Sequence, residues 1–304
     1  MDPLITSTDS GDPRVADFLG RAVRLGEEPR AVLVGFPTDE GVRRNGGRHG
    51  AARAPAEIRR YLGRLTPDVR GRQRFVSLLE HTVDLGDVAL TGNLEADQHA
   101  LGEVVGPELR AGRFVLVLGG GHETAFGHFL GYVRAGLAPE ILNWDAHPDV
   151  RPLRERLGHS GSPFRQALEH PSQACRRYSV AGLQPHSTAA EHLAYVCAQG
   201  SAIFRDECTP ERVHWVLGEL TAPAFVSFDI DAVDQSVAPG VSAPTLNGFG
   251  AAEWLDIAFR TGREASVQSV DVVEVNPLHD RDGQTARLAA LTVWHVLRGL
   301  AARA

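Results

Sequence analysis

From residue 31 onward, short apolar segments alternate with segments whose apolar residues have helical spacing. The segments that we predict as strands are 31–36, 82–85, 114–118, 140–144, 178–183, 201–204, 224–229 and 267–273. Predicted helices lie between most of them, and the longest are 94–110 and 284–302. This alternation predicts an α/β fold in which a mostly parallel sheet is covered by helices on both faces. Ligand sites in such sheets lie beyond the carboxyl ends of the strands.

The segment after strand 140–144 delivers three ionisable side chains. Asp145, His147 and Asp149 occupy alternate positions, so an extended backbone points all three in one direction. A single aspartate after a strand is more often a helix cap or a turn former than a ligand. A single histidine is more often a satisfied polar residue. Three such groups at this spacing instead favour a shared ligand.

Two other strand ends repeat this chemistry. Asp229 and Asp231 have the same spacing at the end of strand 224–229, and His122 follows strand 114–118 across three glycines. Four carboxylates and two imidazoles in one crevice would be costly without counter-charge, and two divalent cations would neutralise the carboxylates. An oxygen-rich ligand set without thiolate favours manganese, with iron, nickel and zinc as open alternatives. Two such metals can lower the pKa of a shared water enough to give hydroxide near neutral pH.

The composition argues against several classes of protein. The net charge is −7 and the arginines form no basic tract, which argues against nucleic-acid binding. No apolar run reaches the roughly 18 residues of a membrane span, and the acidic start of the chain lacks the pattern of a signal peptide. Three cysteines without a CxxC pair are typical of reduced thiols. We therefore expect a cytoplasmic protein with one domain, residues 1–304, that begins with a loose arm at residues 1–14.

Four short motifs resemble the signature blocks of the ureohydrolase superfamily, which includes arginase, agmatinase and formimidoylglutamase. The motifs are GGGHE at 119–123, DAHPD at 145–149, SFDID at 227–231 and EVNP at 274–277. The resemblance extends over most of the chain. It implies a three-layer α/β/α fold with a mostly parallel eight-stranded sheet, two manganese ions per chain, a small-molecule amidine substrate and a homo-oligomer.

The resemblance also implies a role for each candidate ligand. One ion would be held by His122, Asp145, Asp149 and Asp229, and the other by Asp145, His147, Asp229 and Asp231. In this arrangement Asp145 and Asp229 bridge the two ions. Asp149 would also orient the hydroxide and pass its proton to the leaving amine. Glu274 would lie beside the amidine or guanidine group, because a carboxylate matches a planar cation.

We expect the substrate pocket to lie in loops that contain arginine. Segments 41–48 and 160–166 look most like formimidoylglutamase, whose substrate carries two carboxylates that require cations. The predicted substrate contacts are Arg43, Arg48, Arg151, Ser160 and Glu274. Arg44 and Arg165 are interpreted as surface residues. The sequence assigns no role to His159 or His186.

Three functions follow from the resemblance. The preferred function is hydrolysis of a linear amidine C–N bond, which converts N-formimidoyl-L-glutamate and water to L-glutamate and formamide in histidine degradation. The first alternative is a guanidino hydrolase of the arginase or agmatinase type, which releases urea. The second alternative is a metal-binding scaffold without catalysis, and turnover of any amidine or guanidine would exclude it.

Overall fold

The structure, a computed structural model, describes residues 11–303, and within them eight strands form one sheet. The strands β1–β8 are, in chain order, Ala31–Phe36, Thr82–Asp87, Phe114–Gly119, Glu140–Trp144, Arg177–Leu183, Ala202–Phe204, Ala224–Asp229 and Val267–Val273. Their order across the sheet is β2-β1-β3-β8-β7-β4-β5-β6. All neighbouring pairs are parallel. The predicted α/β fold is therefore confirmed, with a sheet that is wholly rather than mostly parallel.

Helices connect the strands and cover both faces of the sheet. The helices α1–α11 are, in chain order, Val15–Phe18, Glu40–Arg44, Ala54–Leu62, Arg72–Glu80, Leu94–Arg110, Thr124–Ala135, Pro163–Leu168, Ala190–Cys197, Pro210–Gly218, Ala251–Arg263 and Gln284–Ala301. Helices α5 and α6 pack together over one face, and α10 and α11 pack together over the other. The predicted three-layer arrangement is confirmed. Between residues 11 and 303, no helix is both long and apolar enough to cross a membrane.

Successive residues of the central strands are buried on opposite faces of the sheet. In β3, Leu116 and Leu118 pack in the core that includes α10 and α11, whereas Val115 and Val117 pack in the core that includes α5 and α6. Side chains alternate between the two faces along a strand, and here both faces are covered by helices. The central strands are therefore continuously apolar in sequence, as is typical of buried parallel sheets.

The order of the strands places the four motifs next to one another. The motifs follow β3, β4, β7 and β8, and these four strands are neighbours at the centre of the sheet. Because the strands are parallel, their carboxyl ends lie at one edge. Segments that are up to 152 positions apart in the chain therefore converge, as the hydrogen bond from His122 N–H to Glu274 shows.

The sequence also predicts a short helix from Val15 to Leu25, and this prediction is wrong in extent. Helix α1 is a single turn, and a separate 3₁₀ turn follows at Val23–Leu25. Gly20 lies between them with a φ of 64°, a left-handed conformation that ends helices. The first ten residues of the predicted loose arm lie outside the described residues, and residues 11–14 have neither helix nor strand structure.

The glycine- and arginine-rich sequence of residues 37–50 predicts a loop after β1, but the structure has the short helix α2 within it. Its first residue, Glu40, pairs with Arg44 one turn later. The N–H of Gly41 donates to Oε1 of the buried Glu123 at 2.7 Å. The helix is therefore supported by a carboxylate 82 positions away in the chain, which no local sequence pattern reveals.

Candidate metal centre and substrate cavity

All six predicted metal ligands lie in two adjoining groups at the carboxyl edge of the sheet. The first group is His122, Asp145, Asp149 and Asp229, and the second is Asp145, His147 and Asp231. Within each group the ligand atoms lie within 4.8 Å of one another. The two groups share Asp145, which places them side by side.

In the first group, one histidine nitrogen faces three carboxylates. Nδ1 of His122 lies 2.9 Å from Oδ2 of Asp149 and 2.9 Å from Oδ2 of Asp229. Oδ2 of Asp145 is 3.3 Å away. The same Nδ1 is buried and has no hydrogen-bond partner of suitable geometry among the described residues. These atoms converge as the ligands of a single ion would.

The second group has one histidine nitrogen between two carboxylates. Nδ1 of His147 lies 3.2 Å from Oδ2 of Asp231 and 3.4 Å from Oδ1 of Asp145. Asp229, which was expected to bridge both ions, is not a member of this group. Its Oδ1 accepts a hydrogen bond from the N–H of Asp231 at 2.8 Å. The bridging role of Asp229 remains a prediction.

Hydrogen bonds orient the shared carboxylate of Asp145. Its Oδ1 accepts from the N–H of His147 at 2.7 Å, and its Oδ2 accepts from Nδ2 of Asn143 at 2.8 Å. Asn143 lies in β4 and is completely buried. A buried residue of the sheet therefore orients the carboxylate of Asp145, as the hydrogen-bond partners of metal ligands commonly do.

Asp149 and Glu274 both have left-handed backbone conformations. Their φ angles are 44° and 64°, which cost of order 1–3 kcal/mol for a residue other than glycine. The surrounding structure enforces them, because Phe164 N–H donates to the Asp149 carbonyl and Glu274 N–H donates to the Gly120 carbonyl. Backbone strain thus coincides with two predicted site residues.

Two further carboxyl groups are buried beside the first ligand group. Glu274 accepts the N–H of His122 through Oε1 at 2.8 Å. Burial, together with repulsion from Glu123 and Asp231, raises the pKa of Glu274 well above its ordinary value. Burial also raises the pKa of Glu123 to about 7. Sequence reasoning assigned no role to Glu123, although its place directly after His122 in the GGGHE motif was an available signal.

The surplus of carboxylates raises the pKa of both ligand histidines. Burial by itself would lower the pKa of His122, but the charge of Asp229 and contacts with other carboxylates outweigh it. Burial would likewise lower the pKa of His147, and the charge of Asp231 outweighs it. The carboxylates therefore favour a positive charge at this position, whether a proton or a metal cation supplies it.

The residues present fit a pair of divalent cations. Two buried atoms of the predicted ligands, Nδ1 of His122 and Oδ1 of Asp231, lack hydrogen-bond partners in the described part of the chain. The donor set consists of carboxylate oxygens and imidazole nitrogens, and neither group contains a described cysteine. This donor set suits manganese better than a thiolate-preferring metal.

Metal binding is expected to release protons and to weaken in acid. The carboxylates that raise the pKa of His122 and His147 favour the protonated rings, and a metal must displace those protons to bind. We therefore expect the affinity for Mn²⁺ to decrease from about pH 8 to about pH 6. Calorimetry in buffers of different ionisation enthalpy measures the number of protons released. An affinity that does not change over this range would contradict the assignment of these ligands.

A cavity of about 210 Å³ opens onto the two ligand groups. Its walls include the predicted ligands His147, Asp149, Asp229 and Asp231. Three of the predicted substrate contacts, Arg151, Ser160 and Glu274, also line it. The predicted metal ligands and three of the predicted substrate contacts therefore share one space, which is open enough to admit a small molecule.

Arg151 supplies a positive charge to the wall of this cavity. Its Nη1 donates to Oδ1 of Asn45 at 3.1 Å, and Nδ2 of Asn45 donates to Oγ of Ser160 at 3.1 Å. Ser242 lies on the same lining. Sequence reasoning missed Asn45 and Ser242. Asn45 stands within the arginine-rich segment that was singled out, but its contact with Arg151 spans 106 positions.

Arg43 and Arg48, both predicted to contact substrate, do not line this cavity. The side chain of Arg43 is 69% exposed and pairs with Glu40 at 2.6 Å. Arg48 donates from Nε to the carbonyl of Ser242 at 3.1 Å and from Nη2 to the carbonyl of Val241. Arg48 therefore supports the loop that carries Ser242 into the cavity wall. Arg43 lies outside it.

The two arginines interpreted as surface residues differ from each other. The side chain of Arg165 is 24% exposed; it pairs with the exposed Glu169 one helical turn away, donates to the carbonyl of Val150 and packs over the ring of Tyr195. The side chain of Arg44 is only 17% exposed, and it pairs with Glu95 at 2.6 Å and donates to the carbonyl of Gly158. Arg44 thus joins α2 to α5 and to the segment before Ser160, so the surface interpretation is wrong for it.

His159 stabilises the loop that presents Ser160. Its Nδ1 accepts the N–H of Gly161 at 3.1 Å, and its Nε2 lies 3.1 Å from the carbonyl of Pro152. Burial lowers the pKa of His159, which favours the neutral ring that this pair of contacts requires. His186 is exposed and does not line the cavity.

Comparisons with known proteins agree with this geometry. The sequence model of the Arginase family matches residues 29–298. The chain is 39% identical over 293 residues to the formimidoylglutamase of Rhodococcus jostii (strain RHA1), covering 90% of this chain and 87% of the relative. It is 39% identical over 277 residues to the formimidoylglutamase of Klebsiella pneumoniae, covering 87% and 84%. The crystal structure of Trypanosoma cruzi formiminoglutamase with Mn²⁺ superimposes with a TM-score of 0.87 at 31% identity, covering 96% of this chain and 100% of that one.

Proposed function

The chain belongs to the arginase family, and we propose that it hydrolyses N-formimidoyl-L-glutamate to L-glutamate and formamide. The predicted relationship to the ureohydrolases is confirmed. The predicted enzyme class, a hydrolase of the C–N bond of linear amidines, is also confirmed, since the relatives are formimidoylglutamases. One observation carries the choice of substrate. The cationic Arg151 lines the same cavity as the metal-binding carboxylates, so an anionic tail and a cationic head can be bound together.

We propose that the centre holds two manganese ions per chain. The two adjoining ligand groups support this number, and the similar Trypanosoma cruzi enzyme was crystallised with Mn²⁺. His122, Asp149 and Asp229 would hold one ion, His147 and Asp231 would hold the other, and Asp145 would contact both. When bound, the ions would supply an activated water and stabilise developing negative charge.

Glu274 and Asp149 supply the groups that act on the amidine. Both line the cavity. The carboxylate of Glu274 would pair with the planar amidinium, because a two-oxygen acceptor matches two N–H donors. Asp149 would accept a proton from the nucleophile and return it to the leaving amine. Its backbone is left-handed, with φ 44°, and strained conformations of this kind concentrate at functional positions.

The cavity wall that contains Arg151, Asn45, Ser160 and Ser242 would bind the glutamate portion of the substrate. Arg151 offers a planar guanidinium, which forms bidentate pairs with carboxylates. Asn45 and Ser160 are hydrogen-bonded in series to Arg151, so the three side chains can rearrange together around an incoming carboxylate. Ser242 is bonded to Arg48, whose backbone N–H donates to its Oγ and whose Nε donates to its carbonyl. Its hydroxyl is a further polar group in this wall.

An assay of three substrates side by side tests the proposed function. The manganese-loaded protein is expected to release glutamate and formamide from N-formimidoyl-L-glutamate, and to release no urea from arginine or agmatine. A chelator-treated sample serves as the control and should be inactive. Release of urea without turnover of the amidine would replace the proposal with a guanidino hydrolase. No turnover of any of the three would favour a non-catalytic scaffold.

A further inference from the structure

A chain of buried polar side chains lies directly behind the ligand histidine His122. Its Nε2, the nitrogen that points away from the carboxylate cluster, is 2.9 Å from Oγ of Ser227. Ser227 donates from Oγ to Oδ1 of Asp271 at 2.5 Å. Ser227 and Asp271 are both completely buried and face each other on the adjacent strands β7 and β8. None of the roles predicted from the sequence involves Asp271.

The chain of contacts continues from Asp271 into helix α6. Nδ1 of His128 lies 3.0 Å from Oδ2 of Asp271, and Nε2 of His128 lies 2.8 Å from Oγ of Ser269. Oγ of Ser269 is 2.6 Å from the hydroxyl of Tyr132, which also donates to the carbonyl of Ala224. His128 and Tyr132 are fully buried. The network therefore runs from His122 through buried side chains to Tyr132 of α6, whose hydroxyl returns to the sheet at Ala224.

The chemistry of Asp271 sets the direction of these hydrogen bonds. An ionised carboxylate only accepts, so Ser227 must use its single hydrogen on Asp271. The oxygen of Ser227 is then available only as an acceptor, and Nε2 of His122 must be the donor to it. Since Nε2 carries this hydrogen, Nδ1 is the nitrogen that can lose its proton and bind a metal, and it is the nitrogen that faces Asp149 and Asp229.

We propose that Ser227 and Asp271 are positioning residues that hold His122 as an Nδ1 metal ligand, and that His128 holds Asp271 in turn. This inference rests on the proposed metal centre. Metal-binding histidines usually donate their second N–H to a carboxylate, carbonyl or water, which fixes the tautomer and the ring orientation. Here a serine hydroxyl stands between the histidine and the carboxylate.

Burial makes this arrangement sensitive to a single change. An unpaired buried carboxylate is costly, so Asp271 retains its two partners, and each partner is oriented by it. Loss of an outer-shell partner typically weakens metal affinity about 10- to 100-fold. The effect should fall on the ion held by His122 and spare the ion held by His147, which has no described contact with the network.

Titration of Mn²⁺ into the metal-free full chain, followed by calorimetry, tests the proposal. Wild type is expected to bind two ions. In Ser227→Ala, one ion should bind about 10- to 100-fold more weakly and the other within about threefold of wild type. Asp271→Asn should have the same effect, because its amide can donate to Ser227 and free the serine hydrogen to point at His122. Metal-dependent activity then provides a second measurement.

Tyr132→Phe is the matched control at the far end of the same network. It removes the hydroxyl that contacts Ser269 and Ala224 but leaves His122, Ser227 and Asp271 in contact. It should lower the Tm of the metal-free protein and leave both Mn²⁺ affinities unchanged. If Tyr132→Phe weakens the binding of one ion as much as Ser227→Ala does, the network acts through general stability and the proposal is overturned.

The possible failures are distinguishable. If wild type itself binds fewer than two ions, the proposed metal centre is wrong. If wild type binds two ions and both Ser227→Ala and Asp271→Asn bind them equally well, the positioning role alone is wrong. Should Ser227→Ala fail to fold, Asp271→Asn decides the question by the same affinity, since it preserves the size and shape of the side chain.

Discussion

Replacement of Asp145 by alanine is expected to remove both metal ions and to lower kcat/KM by more than about 10³-fold, beyond the 10- to 100-fold typical of an outer-shell change. Asp145 belongs to both ligand groups. Its Oδ2 lies 3.3 Å from Nδ1 of His122, and its Oδ1 lies 3.4 Å from Nδ1 of His147. Its loss would leave each ion one carboxylate short and would remove the charge common to both sites.

Metal analysis of the purified variant after gel filtration measures this effect directly. Asp256→Ala is the matched control, because Asp256 is half exposed and pairs only with Arg260 on the surface of α10 among the ion pairs described. It should retain the metal content of wild type. His122→Ala should weaken the binding of mainly one of the two ions. A full complement of two ions in Asp145→Ala would contradict the shared-ligand assignment.

Arg151→Lys is expected to raise KM for N-formimidoyl-L-glutamate while both metals are retained. The guanidinium of Arg151 lines the cavity and is already oriented by Asn45. Lysine keeps the charge but cannot form a bidentate pair with a carboxylate. A charge-assisted contact of this kind contributes roughly 1.5–3 kcal/mol, which corresponds to about 10- to 100-fold in kcat/KM.

Steady-state kinetics of Arg151→Lys and Arg43→Lys, measured together, separate a substrate contact from a general effect of charge. Arg43 is mostly exposed and paired with Glu40, so Arg43→Lys should change kcat/KM by less than about twofold. An unchanged KM in Arg151→Lys would remove Arg151 from the substrate site. Arg48→Lys should act differently, by loosening residues 241–242, because Arg48 bonds to their carbonyls.

Local patterns in the sequence determined the sheet and which candidate metal ligands gather at its carboxyl edge. All eight predicted strands are present, because an apolar run flanked by polar loops is a local property of the chain. The ligand positions were also predictable. Alternate positions after a strand direct the side chains of Asp145, His147 and Asp149 the same way. Because parallel strands end at one edge of the sheet, Asp229 and Asp231 lie beside them.

Only the tertiary structure decided which polar side chains meet one another around those ligands. The partners of Asp271 lie 44 and 143 positions away in the chain, and Glu123 supports a helix 82 positions away. The same is true of the substrate wall. Arg43, Arg48 and Arg151 look alike in sequence, but one is paired on the surface, one is bound to a backbone loop and one lines the cavity. Strand and ligand spacing depend on the geometry of consecutive residues, whereas the partner of a long side chain depends on which distant segment packs against it.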